Sequence, residues 1–190
     1  MKPAIGDLIY TVSEQGAILD IEGPWDDFSS GNGCGWLTRN TVIGTNLFTY
    51  ISGDETGYVY QAIHELIVRE PGKQIAFDYR CDSPYLKRNM RMRMTGCGEC
   101  VRYHSSIIHE TLRLKPIHLD YSDSTGSYIV MCSWCKSFHL PGDNDWKPIE
   151  AIFTYISEPF WISHGICPTC SGVLMETMGL SSLKQPLKGR

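Results

Sequence analysis

Apolar and polar positions change period along this chain, and each change marks an element. From Leu8 to Glu22 the runs LIYTVS and AILDIE flank the polar turn EQG, which predicts a β-hairpin. Trp25 and Phe28, three apart, share one face of a short helix before the glycines of SSGNG. Residues 40–51 offer a second brief helix around Leu47, Phe48 and Ile51. From Asp54 to Glu70 the period becomes helical, with Val59, Ile63, Leu66 and Ile67 on one side and Pro71-Gly72 as the stop.

Three alternating runs follow. Residues 74–82 place Ile75, Phe77, Tyr79 and Cys81 on one face. Residues 89–94 set Met90, Met92 and Met94 against Arg91 and Arg93, and residues 101–110 continue after the turn TGCGE. Residues 114–127 then read as a connector rich in Ser, Asp, Pro and Gly. Beyond it, Tyr128 to Met131 is an apolar, strand-like run. Residues 145–156 predict a helix with Trp146, Ile149, Ile152 and Phe153 on one side. Pro168 opens another helix, with Val173, Leu174 and Met178 as its apolar face. Residues 181–190 form a short polar, basic tail.

Composition narrows the class. The 190 residues are 42% hydrophobic, enough for one medium domain and a small module. A net charge of −4 gives no general attraction to nucleic acid. The first residues lack the apolar core of a signal peptide, and no apolar run approaches the roughly 20 residues that cross a bilayer. The expected location is the cytoplasm, where thiols stay reduced and free to bind metal.

Cysteines carry the strongest motif. CSWC holds Cys132 and Cys135, CPTC holds Cys167 and Cys170, and 31 residues separate the inner two. Two such pairs can surround one Zn²⁺ tetrahedrally in a closed, structural site. The competing reading makes them core or disulfide cysteines. His164, in HGIC, is a rival ligand, or a hydrogen-bond donor behind the sulfurs. Cys97 and Cys100 form a third close pair, CGEC. They read as two reduced thiols at a turn, with a second metal site (His104 nearby) or a thiol switch as alternatives. Arg80 and Asp82 fall on the opposite strand face from Phe77 and Tyr79. That position predicts salt bridges to Arg91 or Arg93, or an exposed partner surface. A bulge would instead turn Arg80 inward as an anion contact.

The opening hairpin, the segments WDDF and IGTNLFTYIS, the helix GDETGYVYQAIHELI and three closing strands resemble, in this order, a PAS domain. The run RCDSPYLKRNMRM resembles a subset of bacterial PAS-like proteins. The CSWC…HGICPTC segment resembles a tail found on some PAS-containing signalling proteins. The resemblance implies an α+β fold: a five-stranded antiparallel sheet with helices on one face, followed by a small four-cysteine zinc-binding α/β module. The implied divisions are 1–113 for the PAS-like sensor, 114–127 for the connector, 128–179 for the zinc module and 180–190 for a flexible tail. It also implies a ligand pocket between sheet and helices, lined by Trp25, Phe28, Phe48, Ile63, Ile67, Phe77, Tyr79, Met90 and Met92, although the same residues could simply fill a core. His64 lies on the helix where some PAS proteins hold haem. The cysteine-bearing motif of flavin-binding light sensors is absent, and Cys34 in GNGCGW does not restore it.

No P-loop, nucleophile elbow, HExxH or dinucleotide fingerprint is present, so no enzyme is expected. The resulting expectation is a cytosolic sensor or adaptor with a structural zinc, acting through a small ligand, a protein partner or self-association as a dimer. Two alternatives remain: haem sensing through His64, and nucleic-acid binding through the zinc module, for which Lys136, His139 and Lys147 make only a thin basic stripe. The identity of the ligand is not written in the sequence.

Overall fold

The hairpin forms where alternation places it. Strand β1 (Leu8–Ser13) pairs antiparallel with β2 (Ile18–Glu22), from Ile9↔Glu22 to Val12↔Ile18. The molecule is described from a computed structural model, which covers residues 6–70, 72–117, 128–152 and 161–180. Gly16 closes the hairpin with φ near +91°, and a Cβ there would meet the Phe48 ring at 2.7 Å.

Helix α1 (Trp25–Gly31) is anchored by the Trp25 indole N–H, which donates to the Leu37 carbonyl at 2.8 Å. The single helix expected over residues 40–51 is instead two pieces, α2 (Arg39–Val42) and a 3-10 turn at Leu47–Tyr50. The backbone between them pairs with β2 rather than continuing the helix: Gly44 N–H donates to the Ile18 carbonyl, and Ile18 N–H donates to the Thr45 carbonyl. Gly44, at φ near +84°, makes that turn.

Helix α3 (Asp54–Arg69) follows, with Asp54 and Glu55 at its positive end. Its buried face of Ile63, His64 and Ile67 lies on the sheet. Strands β3 (Gln74–Arg80), β4 (Leu86–Gly96) and β5 (Cys100–Leu112) complete five antiparallel strands in the order β2-β1-β5-β4-β3. The helices cover the face carrying Val12, Ile21, Met92, Met94 and Tyr103, while Arg91 looks away and pairs with Asp78. This is the α+β arrangement the sequence implied. Cys97 and Cys100 are joined in a disulfide across the β4–β5 turn, where two reduced thiols were expected. His104 meets Asp7, not these sulfurs.

A second sheet forms from β6 (Tyr128–Cys132), β7 (Ser137–His139), β8 (Trp146–Pro148) and β9 (Trp161–Gly165), in the order β8-β7-β6-β9. The helix expected from 145 is a strand first: β8 pairs with β7 through Phe138↔Lys147, and Pro148 disfavours helix in the residue before it. A single turn, α4 (Ile149–Ile152), follows, and the rest of that expected helix, 153–156, lies outside the described residues. So do 118–127 of the connector and the tail 181–190. Helix α5 (Pro168–Thr177) begins with Cys167 as its N-cap. The second sheet has a small core of Ile129, Met131, Phe138 and Ile149. Cys132, Trp134, Cys167, Leu174 and Met178, however, belong to the same buried cluster as Ile63 and Phe77. The cysteine segment is packed into the main core rather than appended to it.

Candidate functional site: a cysteine knuckle beside an aromatic cavity

The tight turn after β6 and the start of α5 bring four sulfurs together. Those of Cys132, Cys135, Cys167 and Cys170 all lie within 4.8 Å of one another, and Cys135 and Cys167 are 3.7 Å apart. A tetrahedral thiolate site with metal–sulfur bonds of about 2.3 Å has sulfur–sulfur edges of about 3.8 Å, so the spacing fits one ion. Backbone N–H groups support the donors: Cys167 N–H points to the Cys132 sulfur and Cys170 N–H to the Cys167 sulfur, both at 3.4 Å. Hydrogen bonds from Cys132 and Cys170 pull the Cys135 thiol far below its ordinary range, while burial pushes Cys167 up to about 11. Such close sulfurs share their protons as one unit. Among the described residues the cluster contains only these four; His164 on β9 is not part of it and lines the neighbouring cavity.

The knuckle also touches the five-stranded sheet and α3. Arg80 N–H donates to the Trp134 carbonyl at 2.6 Å, and the Thr56 and Ser133 hydroxyls are 2.7 Å apart. Trp134 is 3% exposed and stacks on Tyr60 with centroids 5.6 Å apart. Lys136 ends the knuckle in the left-handed region, at φ 59°, with its N–H on the Cys132 carbonyl. Between these pieces lies a cavity of about 380 Å³. The five-stranded sheet and α3 contribute Tyr10, Tyr60, Tyr79 and Met92, and the cysteine part contributes Ser133, Trp134, Lys136 and His164.

The nine expected pocket residues divide. Tyr79 and Met92 line the cavity. Ile63, Ile67, Phe77 and Met90 are at most 4% exposed and fill the interior. Trp25 packs edge-on to Tyr10, Phe28 lies under the Arg88 guanidinium, and Phe48 packs against His64. Sequence reading missed Tyr10, Tyr60 and the whole knuckle wall, because nothing local says which strand faces which turn.

Arg80 and Asp82 do not reach Arg91 or Arg93 and are not an exposed surface. Arg80 pairs with Asp82 and with Glu150 of α4, and Arg113 holds Asp82 at 2.6 Å. Arg88 N–H also donates to Asp82. Arg80 and Asp82 line the same cavity as Tyr79, and Glu150 of the cysteine part takes the place of the expected arginine partners. The thin basic stripe does not assemble either: Lys136 turns to the cavity and Lys147 pairs with Asp143.

His64 is 1% exposed, with Nδ1 2.8 Å from the Tyr103 hydroxyl and Nε2 3.1 Å from the Ser13 carbonyl. Both ring nitrogens are engaged, so neither faces a haem iron. Burial lowers its pKa from 6.5, only partly offset by the Glu14 and Ser13 carbonyls. For Glu150, burial pushes upward, but the Arg80 hydrogen bond and charge outweigh it and hold the carboxyl at about 2. Both groups have depressed folded values, so each contributes stability above its unfolded pKa that is lost as pH falls towards the folded one. The thermal midpoint is expected to fall first below about pH 6.5 and again below about pH 4.5. His64→Gln should flatten the first step and Glu150→Gln the second; unchanged profiles would contradict the assignment.

No protein-family model matches the chain, and no curated protein does. Among solved structures, it is similar to the Cronobacter turicensis RpfR quorum-sensing receptor PAS domain in complex with BDSF. The identity is 13%, with 57% of this chain and 100% of that chain covered, at a TM-score of 0.40. The same domain in complex with C12:0 aligns with the same identity, coverage and TM-score.

Proposed function

We propose that this chain is a non-enzymatic sensor or adaptor whose PAS-like sheet and helix bind a small ligand, with a structural zinc in the Cys132, Cys135, Cys167 and Cys170 knuckle. The observation that carries this reading is the shared wall: one cavity is lined at once by β1, β3, α3 and the knuckle. A ligand seated there touches both parts, so it favours the arrangement in which they are docked and shifts the population towards it. The docked surface, or its loss, is what a protein partner or a second copy reads.

Zinc suits four sulfur donors with no open position, which supports a bracing role and no Lewis-acid chemistry at the knuckle. No described helix is long and apolar enough to cross a membrane. A reducing cytoplasm would keep the four thiols available for the ion.

Native mass spectrometry of freshly purified protein tests the reading. The expected spectrum shows one zinc per chain and a small molecule that leaves on denaturation. A chain with neither would remove it, and zinc without any bindable small molecule would leave the knuckle as a brace alone.

A further inference from the structure

The cavity has an uneven set of polar groups. Tyr10, Tyr60 and Lys136 line it, and no hydrogen-bond or ion-pair partner takes their hydroxyls or ammonium among the described residues. Interior-facing polar groups without a protein partner call for water or a ligand. The three share one cavity wall, and Tyr60 stacks on Trp134, two positions before Lys136.

Charge around the cavity edge is also uneven. Asp82 is near enough to Lys136 to act on it, yet Arg80 and Arg113 already hold that carboxylate. Glu150 is shared by Arg80, Lys87 and Arg113. Burial keeps the Cys81 thiol neutral by raising its pKa, so it adds no negative charge. Lys136 adds a further ammonium to this wall, with no carboxylate ion pair among the described residues.

Donors therefore dominate the polar end. Burial raises both tyrosines well above their ordinary range, so their hydroxyls keep their protons at neutral pH. An ammonium and two hydroxyls, all donors, suit an anionic acceptor such as a carboxylate. Leu47, Ile51, Met92 and Trp134 give the wall an apolar part that suits a hydrocarbon or aromatic body, while polar side chains such as Thr56, Ser133 and Tyr79 are taken by protein partners. The volume of about 380 Å³ falls within the range of small-molecule sites.

We propose that the cavity takes a small amphipathic carboxylate whose charged end meets Lys136 and the Tyr10 and Tyr60 hydroxyls. This rests on the cavity being a ligand site, as proposed above. Lys136 directly follows Cys135, so the knuckle that holds the ion also sets the position of the cation. Ligand and metal are then coupled sites, and the coupling is reciprocal.

Calorimetric titration of the metal-loaded full chain with matched acid and alcohol pairs tests this: benzoate and benzyl alcohol, naphthoate and naphthalenemethanol, octanoate and octanol. At least one acid is expected to bind more tightly than its alcohol. Lys136→Met should weaken that acid roughly ten- to hundredfold, leave the alcohol unchanged, and be largely rescued by Lys136→Arg. Tyr60→Phe asks the same question while keeping the ring that stacks on Trp134, and should weaken the acid severalfold. Metal content and melting midpoint confirm that each variant is folded. An alcohol binding as well as its acid, or acid binding indifferent to Lys136→Met and Tyr60→Phe, overturns the carboxylate assignment and leaves the cavity as a ligand site. Binding of none of the probes overturns both.

Discussion

Cys132→Ser is expected to reduce bound zinc from one ion per chain to none, and to unfold the second sheet. Structural zinc contributes an apparent binding free energy of about 10–16 kcal/mol in small metal-dependent folds. A whole domain is stable by only about 5–15 kcal/mol, so an ion held there would supply a large share of the stability of a small sheet whose described core has four buried residues. The effect should not stop at the knuckle. Trp134 would leave Tyr60, and Arg80 N–H would lose the Trp134 carbonyl. Elemental analysis and amide hydrogen exchange are the measurements. Protection should vanish over β6–β9 and α5, drop at the end of β3 and the start of α3, and persist in β4 and β5. A variant that keeps one ion per chain would show that the four sulfurs are not the ligand set.

Asp82→Ala should be the most destabilising change outside the knuckle, at about 3–5 kcal/mol, because it strands buried arginines. Asp82 has an 11% exposed side chain and receives Arg80, Arg113 and the Arg88 backbone N–H. Arg80 retains Glu150 at 2.7 Å after the loss, whereas Arg113, with a 9% exposed side chain, keeps the Ser83 and Leu86 carbonyls and a longer 3.6 Å contact to the same Glu150. Urea unfolding measures the cost through the midpoint at constant slope. The double variant Asp82→Ala, Arg113→Met should cost less than the sum of the two single changes, since the stranded charge is then gone. A loss under about 1 kcal/mol, typical of exposed pairs, would mean the cluster is solvated.

Local patterning carried the first half of the chain well. Met90, Met92 and Met94 against Arg91 and Arg93 can only be a strand with one buried face, and they occupy that register in β4. The Asp54–Arg69 helix follows from its apolar spacing and the Pro71-Gly72 stop. Errors arose where a long-range partner outcompeted a local preference. Gly44 and Thr45 pair with Ile18 and split a helix; Lys147 pairs with Phe138 and makes a strand. Arg80 shows the limit most sharply. Arginine partners or an exposed surface were expected for it, but it meets Glu150, 70 positions away, at the edge of the cavity that Tyr79 also lines. His64 was recognised as a residue of interest for its helix position, yet its role is set by Tyr103 and Ser13, which no spacing rule connects to it.

The sequence by itself determined the hairpin, the long helix, the amphipathic strands and the set of four cysteines, because each depends on residues a few positions apart. Tertiary structure alone decided that the cysteine turn closes a cavity on the PAS-like sheet, that Lys136 faces inward and that Asp82 is buried among arginines. Those outcomes depend on which surfaces meet once apolar area leaves water, and burial of that kind is a property of the packed chain that no short stretch of it encodes.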